Sequence, residues 1–187
     1  MQFCREYKNI VIKYSNVGGI SFPHFLKGEI GMTIDIEHSK YAQKAMNLFL
    51  EGYNCTQAVF LAFSDKYNMD EAMALRLSSS FGGGMGRLRE VCGSVSGMFM
   101  VAGILYGYDD VKNPGLKKEH YARIQQLAAE FEKANGSIVC RDLLGLGKGK
   151  DSPVPSARTE EYYKKRPCIK LIGMAAAIME AYIEEKE

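Results

Sequence analysis

The chain has 187 residues, the size of one domain that buries a full core without disulfide or metal staples. Apolar residues make up 47% and charged residues 25%, a globular balance that excludes a mainly disordered chain. With 24 basic against 22 acidic residues the net charge is only +2, which argues against nucleic acid as a partner.

Five cysteines are too few for a secreted disulfide scaffold, and the start lacks a signal-peptide pattern. The expected compartment is the cytoplasm, where thiols stay reduced unless they are catalytic or metal-bound. Residues 1–31 differ from the rest. Asn9–Ser15 is strand-like and Gly18-Gly19 is a turn signal. Lys27-Gly28-Glu29 can be encoded by a purine-rich ribosome-binding sequence just before Met32. Residues 1–31 therefore read as an N-terminal extension, a translated leader that adds little to the core, and residues 32–187 as a four-cysteine helical domain.

From Ser39 the apolar spacing is helical, with Tyr41, Ala45, Leu48 and Phe49 on one face. Gly52 ends this helix. Asn54 caps the next, Cys55–Tyr67, and Met69–Ser80 forms a third, with Asp70 and Glu71 in its first turn. Gly82-Gly83-Gly84-Met85-Gly86 then breaks the chain. Val91 to Tyr108 carries no charge over 18 residues. Gly93, Gly97, Gly103 and Gly107 dilute its hydrophobicity, so it reads as a buried central helix rather than a membrane span. Its glycine pairs, 93/97 and 103/107, each lie on one face and let a neighbouring backbone come close. Pro114 opens a long helix to Asn135, with Gly136 beyond its end and Tyr121, Ile124, Ala128 and Phe131 as the buried stripe. Cys140–Leu144 is a short turn and 146–166 a loop. Pro167 starts the last helix, with Leu171, Ile172, Ala175, Ile178, Met179 and Tyr182 facing inward. No strand pattern stands out after residue 32. The expected fold is all-α, a compact multi-helix bundle around the glycine-rich helix.

Candidate chemistry narrows quickly. The three histidines, His24, His38 and His120, make no H-E-x-x-H pattern, which disfavours a zinc hydrolase. The glycine run has no preceding strand and no following Gly-Lys-Ser/Thr, so it is no phosphate loop. Successive glycine N–H groups can instead point at an anion such as a thiolate or a cluster sulfur. Four cysteines, Cys55, Cys92, Cys140 and Cys168, fall at expected helix N-termini, where free N–H groups and the helix dipole lower a thiol pKa. No C-x-x-C is present, so a shared site needs separate helices to converge. Cys92 is expected to be the central thiolate, with Cys55 or Cys168 as its partner, and Gly82, Gly83, Gly84 and Gly93 are expected to line the pocket. Cys4 should lie elsewhere.

The segments Gly52-Tyr53-Asn54-Cys55-Thr56-Gln57-Ala58-Val59, Phe81–Gly86, Val91–Gly97 and Cys140–Gly145, with Cys168 before a terminal helix, resemble the redox-active protein family named for its C_GCAxxG_C_C cysteine signature. Cys92-Gly93-Ser94 stands where the family has Cys-Gly-Ala, one small residue for another. The resemblance implies redox activity at Cys55, Cys92, Cys140 and Cys168, with no substrate. Thiol/disulfide redox or electron transfer with a redox partner is the leading expectation. The alternatives are a zinc or iron–sulfur carrier or sensor held by the same four thiolates, and a helical binding module with structural thiols. Homo-oligomerisation is left open.

Overall fold

The computed structural model describes residues 33–187 together with the backbone of Leu26–Lys27. The expectations for Asn9–Ser15, Gly18-Gly19 and Cys4 lie outside the described residues. Two short strands, β1 (Leu26–Lys27) and β2 (Thr33–Ile34), pair antiparallel with Leu26 opposite Ile34. They are a departure from helix that periodicity did not suggest. Two residues are too few to show alternation.

Among the described residues eight right-handed helices follow. Helix α1 (Lys40–Leu50) is capped by Ser39, whose side chain accepts the Ala42 N–H, and it buries Tyr41, Ala42, Ala45, Met46 and Phe49. Gly52, at φ +115°, turns the chain. Helix α2 (Cys55–Ala62) starts with a full capping box: Asn54 accepts the Gln57 N–H, and the Gln57 side chain accepts the Asn54 N–H. It stops five residues before the expected Tyr67, because the chain tightens into a 3-10 turn at Ser64–Lys66. Helix α3 (Glu71–Ser79) is capped by Asp70.

Helix α4 (Gly93–Tyr106) is the glycine-rich helix, buried from Gly93 to Met98 and again at Val101 and Ala102. It packs against α2 and against the helices named next, α5 (Pro114–Asn135) and α8 (Cys168–Lys186). Helix α8 shares the centre and buries thirteen residues, including all six expected to face inward. The stripe of α5 differs from expectation at one end. Tyr121 is 54% exposed, and Leu127, Glu130 and Phe131 carry the burial, since only the last turns of α5 reach the core. Helix α6 is the short turn Cys140–Leu143.

The expected loop at 146–166 contains helix α7 (Glu160–Lys165). Thr159 caps it, and Glu160–Lys164 and Glu161–Lys165 pair across one turn. Tyr163 is its one buried residue, so no apolar stripe announced it. No helix among the described residues is long and apolar enough to cross a membrane.

Candidate functional site

Each of the four cysteines stands at a helix start. Cys55, Cys140 and Cys168 are the first residues of α2, α6 and α8, and Cys92 is the N-cap of α4. The Asn54 capping box fixes the first turn that carries Cys55. A small antiparallel bridge between Val91 and Val139 brings two of the others alongside each other. In it Cys92 N–H donates to Ile138 O at 2.8 Å and Cys140 N–H to Glu90 O at 2.6 Å. All four are free thiols.

The glycine run builds the wall between them. From Gly83 to Arg87 every residue has positive φ (68°, 69°, 61°, 62° and 69°), and Arg89 follows at 65°. This is a turn of left-handed helix, strained at Met85, Arg87 and Arg89, which are not glycine. It aims Gly83 N–H at Cys55 Sγ, 3.4 Å away. It also seats Gly84 directly on Cys140, where an added Cβ would fall 2.6 Å from Cys140 Cβ. Gly93 does the same for Cys55: a Cβ there would overlap Cys55 Sγ and lie 2.7 Å from Thr56 Oγ1. Three of the four expected glycines thus touch a cysteine. Gly82 instead abuts the Asn54 side chain, and so supports the cap beneath Cys55.

The thiols sense one another. A charge on Cys140 raises the pKa of Cys55, and charges on Cys55 and Cys140 raise those of Cys92 and Cys168. Cys55 and Cys140 are each coupled to the other three. Burial is nonetheless the largest influence on Cys55, Cys92 and Cys168. It pushes Cys55 up, and Cys92 and Cys168 each up to about 12.

This corrects the expectation of a Cys92 thiolate. The Cys92 sulfur meets one hydroxyl, Ser94 Oγ at 3.2 Å, and Cys92 makes no side-chain cap hydrogen bond to its helix. The glycine N–H donor faces Cys55 instead. A helix N-terminus does not lower a thiol pKa when the sulfur is withdrawn from water more completely than its donors compensate.

Several functional neighbours have no local sequence signal. Arg89 is 3% exposed. It holds Asp151 through Nε and Nη2, and its Nη1 reaches Cys140 Sγ at 3.8 Å. Arg87 shares the same carboxylate at 3.1 Å. Asp151 lies 62 residues along the chain from Arg89, too far for any spacing rule. Arg158 donates to the carbonyls of Phe49 and Tyr53 and so ties the 145–157 segment, exposed throughout, to the end of α1. Arg166 lies over the Tyr162 ring at 5.0 Å, and its charge and that of Arg89 act on Cys168 in the opposite sense to burial. The adjacency Arg166-Pro167-Cys168 could have marked Arg166. Thr56 Oγ1 is buried beside Cys55 with no hydrogen-bond partner among the described residues.

Four thiols form a donor set that suits zinc or an iron–sulfur cluster. Among the described residues, however, no three His, Cys, Asp or Glu side chains stand where they could hold one metal ion. The thiols share a neighbourhood without forming a coordination sphere, so this arrangement does not fit a single metal ion.

Residues 53–182, more than two thirds of the chain, match the family described as "Putative redox-active protein (C_GCAxxG_C_C)". The chain belongs to this family. The matched span contains all four cysteines and the left-handed glycine turn. Comparison with curated proteins and with solved structures gave no match.

Proposed function

We propose that this C_GCAxxG_C_C protein is a two-electron thiol–disulfide carrier in which Cys55 and Cys168 are the exchanging pair. The observation that carries this reading is the exposure of the four residues. Cys55 and Cys140 each act on all three of the other thiols, but Cys55 and Cys168 are the two residues that are only half-buried, while Cys92 and Cys140 are 6% and 5% exposed. In the reaction the Cys168 thiolate attacks a substrate disulfide, forms a mixed disulfide and expels one substrate thiolate. Cys55 then displaces the second. Two protein thiols become one disulfide, the substrate disulfide becomes two thiols, and the two protons from the protein leave on the products.

The raised pKa values bear on direction. A dithiol is a weak reductant when its thiolate is stabilised, as in strongly oxidising exchange proteins. Here burial withholds that stabilisation from both members of the pair, which favours a reducing carrier.

The test is mild oxidation of the reduced protein, thiol counting and peptide mapping. The chain holds five cysteines. The expected outcome is a loss of two thiols with Cys55 joined to Cys168, a reaction that Cys55→Ser abolishes. A link confined to Cys92 and Cys140 would overturn the assignment. So would anaerobically purified protein carrying stoichiometric zinc or iron that shields all four thiols.

A further inference from the structure

The guanidiniums near the thiols outnumber what their acidic neighbours neutralise. Asp151 is shared by Arg87 and Arg89. Glu160 and Glu161 on α7 are matched by Lys164 and Lys165, and Glu90 by Arg141. Arg158 donates to backbone carbonyls, which orient it without cancelling its charge. Arg166 is half-buried and, among the described residues, makes no ion pair and no hydrogen bond. Its contact is the Tyr162 ring, two residues from the start of α7 and six from Cys168, and its charge also acts on Asp151, a carboxylate already held by Arg87 and Arg89. A guanidinium held over an aromatic face keeps its N–H edges for a planar acceptor, and the acceptor that matches that fork is a carboxylate.

We infer that Arg166 and Tyr162 form the binding site for a carboxylate of the substrate disulfide, so that the exchange at Cys168 prefers small, carboxylate-bearing disulfides. This rests on the thiol-exchange reading above. Small size follows from burial. Cys55 and Cys168 are half-buried residues and Cys92 and Cys140 are buried, so a low-molecular-weight disulfide reaches the exchanging sulfurs more readily than one fixed on a protein surface. A second polar group waits inside: the buried Thr56 hydroxyl, beside Cys55 Sγ, has no acceptor of its own. The acid–base balance around the site gives the sign of the preference, and the position of Arg166 two residues from Cys168 gives its place.

Three symmetric disulfides of similar size test this: dithiodipropionate (anionic), hydroxyethyl disulfide (neutral) and cystamine (cationic). Oxidation of the reduced full chain by each is followed by thiol counting at one pH and low ionic strength. The expected order is anionic, neutral, cationic, with the anionic-to-neutral ratio about tenfold and shrinking as salt is added. In Arg166→Gln the ratio falls severalfold, and in Arg166→Lys it falls part-way, since the charge remains without the fork. Equal rates for all three, or a ratio unchanged in Arg166→Gln, would overturn the substrate class while leaving thiol exchange standing. If none of the three removes thiols, the exchange reading fails and this inference with it.

Discussion

Along α4 the first turns and the last turns meet different neighbours. Gly93 and Gly97 lie against α2. A Cβ at Gly97 would fall 2.9 Å from both Thr56 O and Val59 Cβ, and one at Gly93 would overlap the Cys55 sulfur. Gly103, ten residues on, has nothing within 4 Å of where a Cβ would stand. The same residue in the same helix is thus a close-contact device at the cysteine end and a gap at the other. Past Ala102 no residue of α4 is buried, and its far end is held by side chains at the surface, with Tyr106 edge-on to Tyr182 and its carbonyl accepting from Arg123. The cysteine end is held by backbone contacts, by sulfur against Cα and by a left-handed turn, where single atoms decide.

Gly93→Ala is the largest expected break in that comparison. The added methyl overlaps two side-chain atoms at once, Cys55 Sγ and Thr56 Oγ1, and lies 3.0 Å from a backbone atom, Phe81 O, so both side chains would have to turn together beside a fixed carbonyl. Overpacking against fixed groups costs roughly 1–3 kcal/mol or more. The variant should lose stability by at least that much in chemical denaturation, and the buried Cys92 should become open to alkylation in the native state. A variant as stable as the parent, with Cys92 still protected, would show that α2 and α4 do not approach this closely.

How much of this was legible in the sequence follows the same division. The helices were read from local signals: the stripes of α1 and α8, the cap Asn54, and Pro114 and Gly136 at the two ends of α5 need only local spacing. The positions of the four cysteines at helix starts were legible for the same reason. Their ionisation was not, because burial depends on what folds over a sulfur. Nor was the pairing of Arg89 with Asp151, which depends on the return of a distant loop. The glycine pairs looked alike in sequence, yet 93/97 faces a helix and Gly103 does not. Only the tertiary neighbour separates them.

Alkaline pH should sharpen the contrast next. Cys92 and Cys168 titrate near 12 in the folded chain against an ordinary 9.0, so folding favours their neutral form. Their contribution is complete below about pH 9 and is lost as pH rises toward 12. For the buried Cys92 the shift corresponds to a few kcal/mol. The denaturation midpoint of the reduced protein should therefore fall between pH 9 and 11, and fall less steeply in Cys92→Ala, which has nothing to ionise there. Oxidation should flatten it as well, since a disulfide has no proton to lose. Equal slopes for parent and Cys92→Ala would mean that the sulfur is better solvated, or better supplied with donors, than its surroundings indicate.

The smallest expected effect comes from the other end of α4. Gly103 lies inside the helix, with helical backbone and open space beside it, so a methyl group there meets no neighbour. Gly103→Ala restricts the unfolded chain and raises helix propensity, which together stabilise a compatible site by about 0.5–1 kcal/mol. The melting temperature should rise by a few degrees, with thiol reactivity at Cys55 and Cys168 unchanged. The sign carries the argument: the same substitution, ten residues apart in one helix, is expected to weaken the molecule at the cysteine end and strengthen it at the other. A loss at Gly103 comparable to that at Gly93 would mean that close packing runs the whole length of α4, and the cysteine end would no longer be distinct in how it is held.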